Sequence, residues 1–186
     1  GTATKGGGFE LFGSTLSSVV NQLDTPVKLK PIATKGSRQN LEFLEQGKIL
    51  IGQVEGNAAR QAIEGIGRTK LDIKVLSVMY PNPGMFIVRA NSPYQKIDDL
   101  KGQPIAFGTQ ASGLRILVND VLNGLGLDPA TDFQQIILNK AAEGPKLVLS
   151  KKAEALWGAG IGWPGFVKVA NSDVGGRFIP PSSQQI

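Results

Sequence analysis

Phe107-Gly108-Thr109-Gln110-Ala111-Ser112-Gly113-Leu114-Arg115 is the stretch around which the rest of the chain is organised. Ile105-Ala106-Phe107 ends a strand, a small-residue turn follows, and the residues beyond carry the spacing of an amphipathic helix. Such a turn points the helix's unpaired N-terminal amides into one small space. The helix dipole adds partial positive charge there, so the space favours an anion. Ser112 is placed to cap the helix, and Gly113 lets a ligand approach the backbone closely. Arg115, one turn in, is available to a carboxylate or phosphate, and Thr109 and Gln110 complete the candidates in this turn. A plain helix cap is the alternative reading of the same residues.

The same device occurs twice more. Gly1-Thr2-Ala3-Thr4-Lys5-Gly6-Gly7-Gly8 runs into a helix bearing Phe9, Phe12, Leu16, Val19, Val20 and Leu23 at helical spacing. The Gly-x-x-x-x-Gly-Lys-Ser/Thr pattern of a nucleotide P-loop is absent. Residues 27–33 read as a strand, and Thr34-Lys35-Gly36-Ser37 is the second turn, with Ser37 the predicted N-cap of a helix through Gln46. Residues 49–54 read as an apolar strand, followed by Glu55-Gly56-Asn57 and a helix to about Gly65. Glu55 has two readings: it pairs with a ligand ammonium, or it is a carboxylate favoured by the helix dipole. Lys5 and Lys35 are the charge candidates in the anion-facing turns.

Residues 73–80 read as a strand that Pro81-Asn82-Pro83-Gly84 stops, with 85–89 beginning the next. This joint, which includes the candidate Asn82, divides a first lobe (1–83) from a second (84–179), with 180–186 a loose tail. Beyond it the pattern predicts a helical turn at 97–102 and a helix from Ser112 with Leu114, Leu117, Val118, Val121, Leu122 and Leu125 inward. A strand at 133–138, a helix at 141–150 with Pro145 in its first turn, a strand Ala155-Leu156-Trp157, a glycine turn at 158–162, a helix from Pro164 and a last strand at 176–179 follow. Trp157 either covers a ligand or packs in the core. Strands and helices alternate throughout, which argues for an α/β fold with parallel sheets. Three turns split by one joint suggest two lobes closing over one small anion.

The composition narrows the chemistry. The 186 residues contain no Cys and no His, so thiol chemistry, histidine base work and Cys/His zinc sites are excluded, and no metal or cofactor is expected. An acid/base pair would need Glu55 with Asp98 or Asp99, whose places at turn starts are explained by capping, so no enzyme is expected. The net charge of +5 is dispersed, with no basic stripe interleaved with aromatics, so nucleic acid is not an expected partner. No apolar run reaches the roughly 20 residues of a membrane span. A signal peptide is expected to have been removed from an exported chain.

At this point the ordered set of motifs resembles the solute-binding proteins of TRAP transporters, specifically the TAXI subgroup. The first glycine-rich loop through Phe9, Ala33-Thr-Lys-Gly-Ser-Arg-Gln-Asn-Leu41, Asp98-Asp-Leu-Lys-Gly102 and the stretch from Gly108 to Arg115 carry the likeness. The resemblance implies a two-lobed type II periplasmic-binding-protein fold that captures a glutamate-like carboxylate or amino acid outside the cytoplasm, in the periplasm, and hands it to a membrane permease. Thr4, Gly7 and Phe9 would line one wall, Thr34, Gly36 and Ser37 the second turn, and Thr109, Ser112, Gly113 and Arg115 the opposing lobe. Glu10, Lys35 and Ala111 depart from the family pattern, which leaves the ligand open. Family members are longer, so the C-terminal part of the first lobe is expected to be missing. The sheet edge this leaves would favour a homodimer or domain exchange. The alternative role is a ligand-binding sensor domain of the same fold.

Overall fold

The computed structural model describes residues 1–181, so most of the expected tail lies outside the described residues. The chain divides into two compact units. The first comprises Gly1–Val78 with Ala111–Gly113, the second Met79–Gln110 with the residues from Leu114 onward.

In the first unit, α1 (Gly8–Gln22), α2 (Ser37–Glu45) and α3 (Gly56–Glu64) surround extended segments. Residues 1–2 lie between the other two segments. Thr2 N–H donates to Ile32 C=O (2.9 Å), and Gln53 N–H donates to Gly1 C=O (3.0 Å). The fully buried Asn40 of α2 ties the three together, its amide donating to Thr2 C=O and Gln53 C=O at 2.7 Å each. α1 buries Gly13 and Ser17, and a Cβ at Gly13 would lie 2.5 Å from Thr2 and Gln53 atoms. The helix therefore approaches this layer through its small residues, and Leu11, Leu16, Val19 and Leu23 face outward.

The strands expected at 27–33, 49–54 and 73–80 are not formed as strands. β-branched residues favour extended backbone, but a strand requires a ladder of main-chain partners. Segments 27–33 and 49–54 instead have scattered bonds, to residues 1–2, to Asn40 and, at Leu29, to the side chain of Asn21.

The second unit is a five-stranded sheet in the order β3-β2-β4-β1-β5. Its strands are β1 (Gly84–Arg89), β2 (Pro104–Thr109), β3 (Gln134–Leu138), β4 (Ala155–Ala159) and β5 (Gly176–Ile179). β2 is parallel to β3 and β4, whereas β1 is antiparallel to β4 and β5, so the sheet is mixed rather than wholly parallel. β1 enters directly from the Pro81–Pro83 joint without a crossover helix, and nothing in its local sequence dictates its direction.

Helices cover both faces. Phe86, Val88, Ile105, Phe107 and Trp157 point to one face, with Val118 and Leu122 of α4 (Gly113–Gly124) packed on them. Ile87, Ala106 and Leu156 point to the other, against Val148 of α5 (Glu143–Leu149) and Phe166 and Val169 of α6 (Pro164–Ala170). Burial on both faces explains why these strands read as unbroken apolar runs. Leu114, Leu117, Val121 and Leu125 pack against the first of these clusters as the helical spacing predicts.

Between β1 and β2, Asp99 accepts N–H bonds from Gln95 (2.8 Å) and Lys96 (3.1 Å). These bonds, from Gln95 first and Lys96 second, hold its carboxyl below the usual carboxylate range. The depressed folded value means that its contribution is present above the ordinary carboxylate range and is lost as pH falls through the folded value. Asp99→Asn should therefore flatten the acid side of the stability profile and leave stability above pH 7 less pH-dependent than acid stability, as urea melts across pH will show. An Asp99→Asn profile superimposable on the parent after normalisation would refute this.

Candidate functional site

Because residues 1–2, the segment before Thr34 and the segment before Glu55 lie side by side, the turns that follow them leave the first unit at one end. In the first turn, Gly7 N–H donates to Thr4 C=O (3.1 Å), and Gly7 is the extended N-cap of α1. Lys5 is exposed and Phe9 half-buried.

In the second turn, the N-cap of α2 is Gly36, at φ +118°, not Ser37. Ser37 is the first helical residue, and its hydroxyl accepts the N–H of Glu55 (3.1 Å) instead of capping its own helix. A partner 18 residues away has displaced the local cap. Thr34 is buried, its hydroxyl within bonding distance of Thr2 C=O (3.0 Å) and Asn40 Oδ1 (2.7 Å), and it receives Gly36 N–H (3.2 Å). It shapes the turn from behind. Lys35 is exposed, its N–H held by Gln39.

Glu55 is buried, and its two carboxylate oxygens accept the N–H groups of Asn57 and Ala58, each at 3.1 Å. Capping of α3 is thus its structural role, in keeping with the dipole reading.

Residues 111–113 group with these turns. Arg38 N–H of α2 donates to Ala111 C=O (3.1 Å), so part of the expected anion cradle is filled by main chain. A Cβ at Gly36 would lie 3.1 Å from Ser112 Cα, and one at Gly113 would lie 2.4 Å from Glu55 Cβ and 2.5 Å from Ser37 Oγ. Both glycines are required by close approach, and Gly36 also by its backbone angle. Gly113→Ala should destabilise the fold by about 1–3 kcal/mol through overpacking. A chemical denaturation midpoint unchanged from the parent would count against this packing.

The remaining candidates lie in the second unit. Thr109 is buried at the end of β2, Gln110 is exposed, and Asn82 is half-buried in the joint. Arg115 donates to Gln135 Oε1 of β3 (2.7 Å), which holds its guanidinium against the sheet. Trp157 is a core residue rather than a ligand cover: it is buried, its ring centroid is 4.8 Å from that of Phe86, and its indole N–H donates to Leu114 C=O (3.0 Å).

Asn40 is the residue that sequence reasoning missed. A polar residue flanked by helix formers gives no local sign that its partners are three separate segments. Among the described residues no cluster of acidic side chains could hold a metal, and no helix is long and apolar enough to cross a membrane.

No curated protein sequence matches the chain. Solved structures do. The periplasmic aliphatic sulphonate binding protein SsuA from Escherichia coli aligns over 91% of this chain and 52% of its own, at 21% identity and a TM-score of 0.55. The alkanesulfonate-binding protein SsuA from Xanthomonas axonopodis pv. citri, bound to MOPS, aligns over 94% and 57%, at 21% identity and 0.60. The substrate binding protein of an amino acid ABC transporter aligns over 94% and 67%, at 14% identity and 0.60. The chain thus spans about half to two-thirds of the length of these proteins. Their shared fold is the type II periplasmic-binding-protein fold, and all three are named as binding proteins. Residues 1–185 match the model of the NMT1-like family, and the chain belongs to that family.

Proposed function

We propose that this chain is a solute receptor that captures a small organic anion, a carboxylate, amino acid or sulfonate, outside the cytoplasm for a membrane transporter. The observation that carries the reading is the grouping of turns 34–38, 55–58 and 111–113 in one unit. Turn 111–113 comes after the carboxyl end of β2, where ligands bind in α/β sheets, and turns 34–38 and 55–58 open helices whose first amides favour an anion. The proposed contacts are Thr4, Lys5, Gly7, Phe9, Lys35, Gly36, Ser37, Ser112 and Gly113, all in the first unit. The chemistry of the structural neighbours, whose names specify aliphatic sulphonates and amino acids, supports this ligand class.

Membership of the TAXI subgroup, a glutamate-like ligand, a TRAP-type permease and a periplasmic location are the finer parts of the same proposal. They are supported by the motif resemblance. A homodimer is a further part, supported by the outward apolar face of α1, and light scattering tests it. Thermal melts with glutamate, glutamine, 2-oxoglutarate and short alkanesulfonates test the receptor role. A ligand at 100 times its Kd should stabilise the protein by about 2.7 kcal/mol. Flat melting temperatures across the panel at millimolar ligand would overturn the reading.

A further inference from the structure

We infer that residues 72–78 of the first unit pair antiparallel with the same residues of a second copy, about a twofold axis at Ile73. This gives the homodimer proposed above its interface and rests on that reading. The segment reads Asp-Ile-Lys-Val-Leu-Ser-Val, without glycine or proline and with its two charges cancelling. Strong strand formers, no net charge and no breaker are the composition of a segment that pairs with another strand. Yet no main-chain N–H of residues 72–78 has a partner among the described residues. Val75, Leu76 and Val78 are 64%, 74% and 87% exposed. Leu50 and Ile161 are more exposed still, but the main chain on both sides of each is bonded, at Ile49 and Ile51 and at Gly160 and Trp163. Residues 72–78 combine exposed apolar side chains with an unmade ladder, the state in which an edge recruits a strand.

Main chain and charge together fix the register. Leu71 N–H donates to Ala62 C=O of α3 (2.8 Å). In extended backbone the N–H groups of Ile73 and Val75 then turn to that side, and those of Asp72, Lys74 and Leu76 to the free edge. Pairing centred on Ile73 sets Asp72 of each copy opposite Lys74 of the other, in two equivalent pairs. Asp72 and Lys74 already share one face, joined at 3.0 Å by an ion pair exposed to solvent. Pairing adds a cross-strand partner to each charge. On the opposite face Ile73 meets its own copy, and Val75 lies opposite the buried Leu71. A twofold axis at Val75 would instead set Lys74 against Leu76 and Asp72 against Val78, with both charges facing apolar side chains.

The test is a charge swap read by sedimentation equilibrium. Asp72→Lys and Lys74→Asp each place like charges opposite one another in both pairs, and each should weaken dimerisation by about tenfold. Mixing the two variants should restore association as a heterodimer, and Asp72→Lys/Lys74→Asp should dimerise like the parent. Equal urea midpoints at low concentration separate lost association from lost folding. Amides of Asp72, Lys74 and Leu76 should exchange more slowly in concentrated than in dilute parent. Slow exchange there in the dilute protein would show another segment covering this edge and would sink the inference. A parent dimer indifferent to both single variants, or a mixture that fails to associate, would overturn this interface and leave the dimer to the apolar face of α1. A parent that stays monomeric at every concentration would overturn the homodimer reading as well.

Discussion

Replacing Arg89 with methionine should destabilise the second unit by about 3–5 kcal/mol, the effect of leaving a partly buried carboxylate without its ion partner. Arg89 closes the end of β1 and is itself buried. Its guanidinium donates to Val148 C=O (2.7 Å) near the end of α5, to Ala153 C=O (3.2 Å), and to the carboxylate of Glu154. One side chain therefore satisfies a helix C-terminus, a turn carbonyl and a carboxylate, and joins β1 to the α5–β4 connection. The double variant Arg89→Met/Glu154→Gln should recover part of the loss, because the unpaired charge is removed with it. Urea melts of both variants measure this. A loss under about 1 kcal/mol in the single variant, the range of an exposed pair, would show that the pair is screened by solvent.

Asn40→Ala should cost about 2–4 kcal/mol in the first unit, because Gln53 C=O loses its amide donor and Thr2 C=O and the Thr34 hydroxyl each lose one partner in a buried place. The consequence extends to the site. Asn40 holds segments 1–2 and 53 in register with Thr34, and the turns proposed to contact ligand begin where those segments end. Amide exchange should accelerate at Thr2, Gln53 and Glu55 together, and anion affinity should fall even at temperatures where the variant is folded. Exchange confined to residue 40 and its helical neighbours would sink the idea. Asn40→Asp is the sharper control, since it replaces the amide donor with a carboxylate facing two carbonyl oxygens.

Helices were well marked in the sequence because the signals that produce them are local. α3 begins at a capping Glu55 and ends on left-handed Gly65 (φ +77°), and α6 begins at Pro164, where a missing N–H is harmless. The Asp99 cap was legible for the same reason. Ser37 was misread as a cap because the residue type fits that position, yet its hydroxyl has a better partner in the main chain of Glu55. The two readings of Glu55 and Trp157 could not be separated in the sequence. One is polar and the other aromatic, and only their surroundings distinguish a cap or a core ring from a ligand contact.

By itself, then, the sequence determined the α/β class, the helices with their turns, the apolar strands of the second unit, and the absence of thiol and imidazole chemistry. All of these depend on residue type and on spacings of two to four residues. Only the tertiary structure decided that β1 and β5 run antiparallel, that Asn40 ties residue 2 to Gln53 and Thr34 where no ladder forms, and that 111–113 packs on the α2 and α3 starts. Strand direction, buried hydrogen-bond partners and the company a turn keeps are set by residues tens of positions apart. Their pairing is chosen by which arrangement satisfies most buried polar groups together, and no local pattern records that choice.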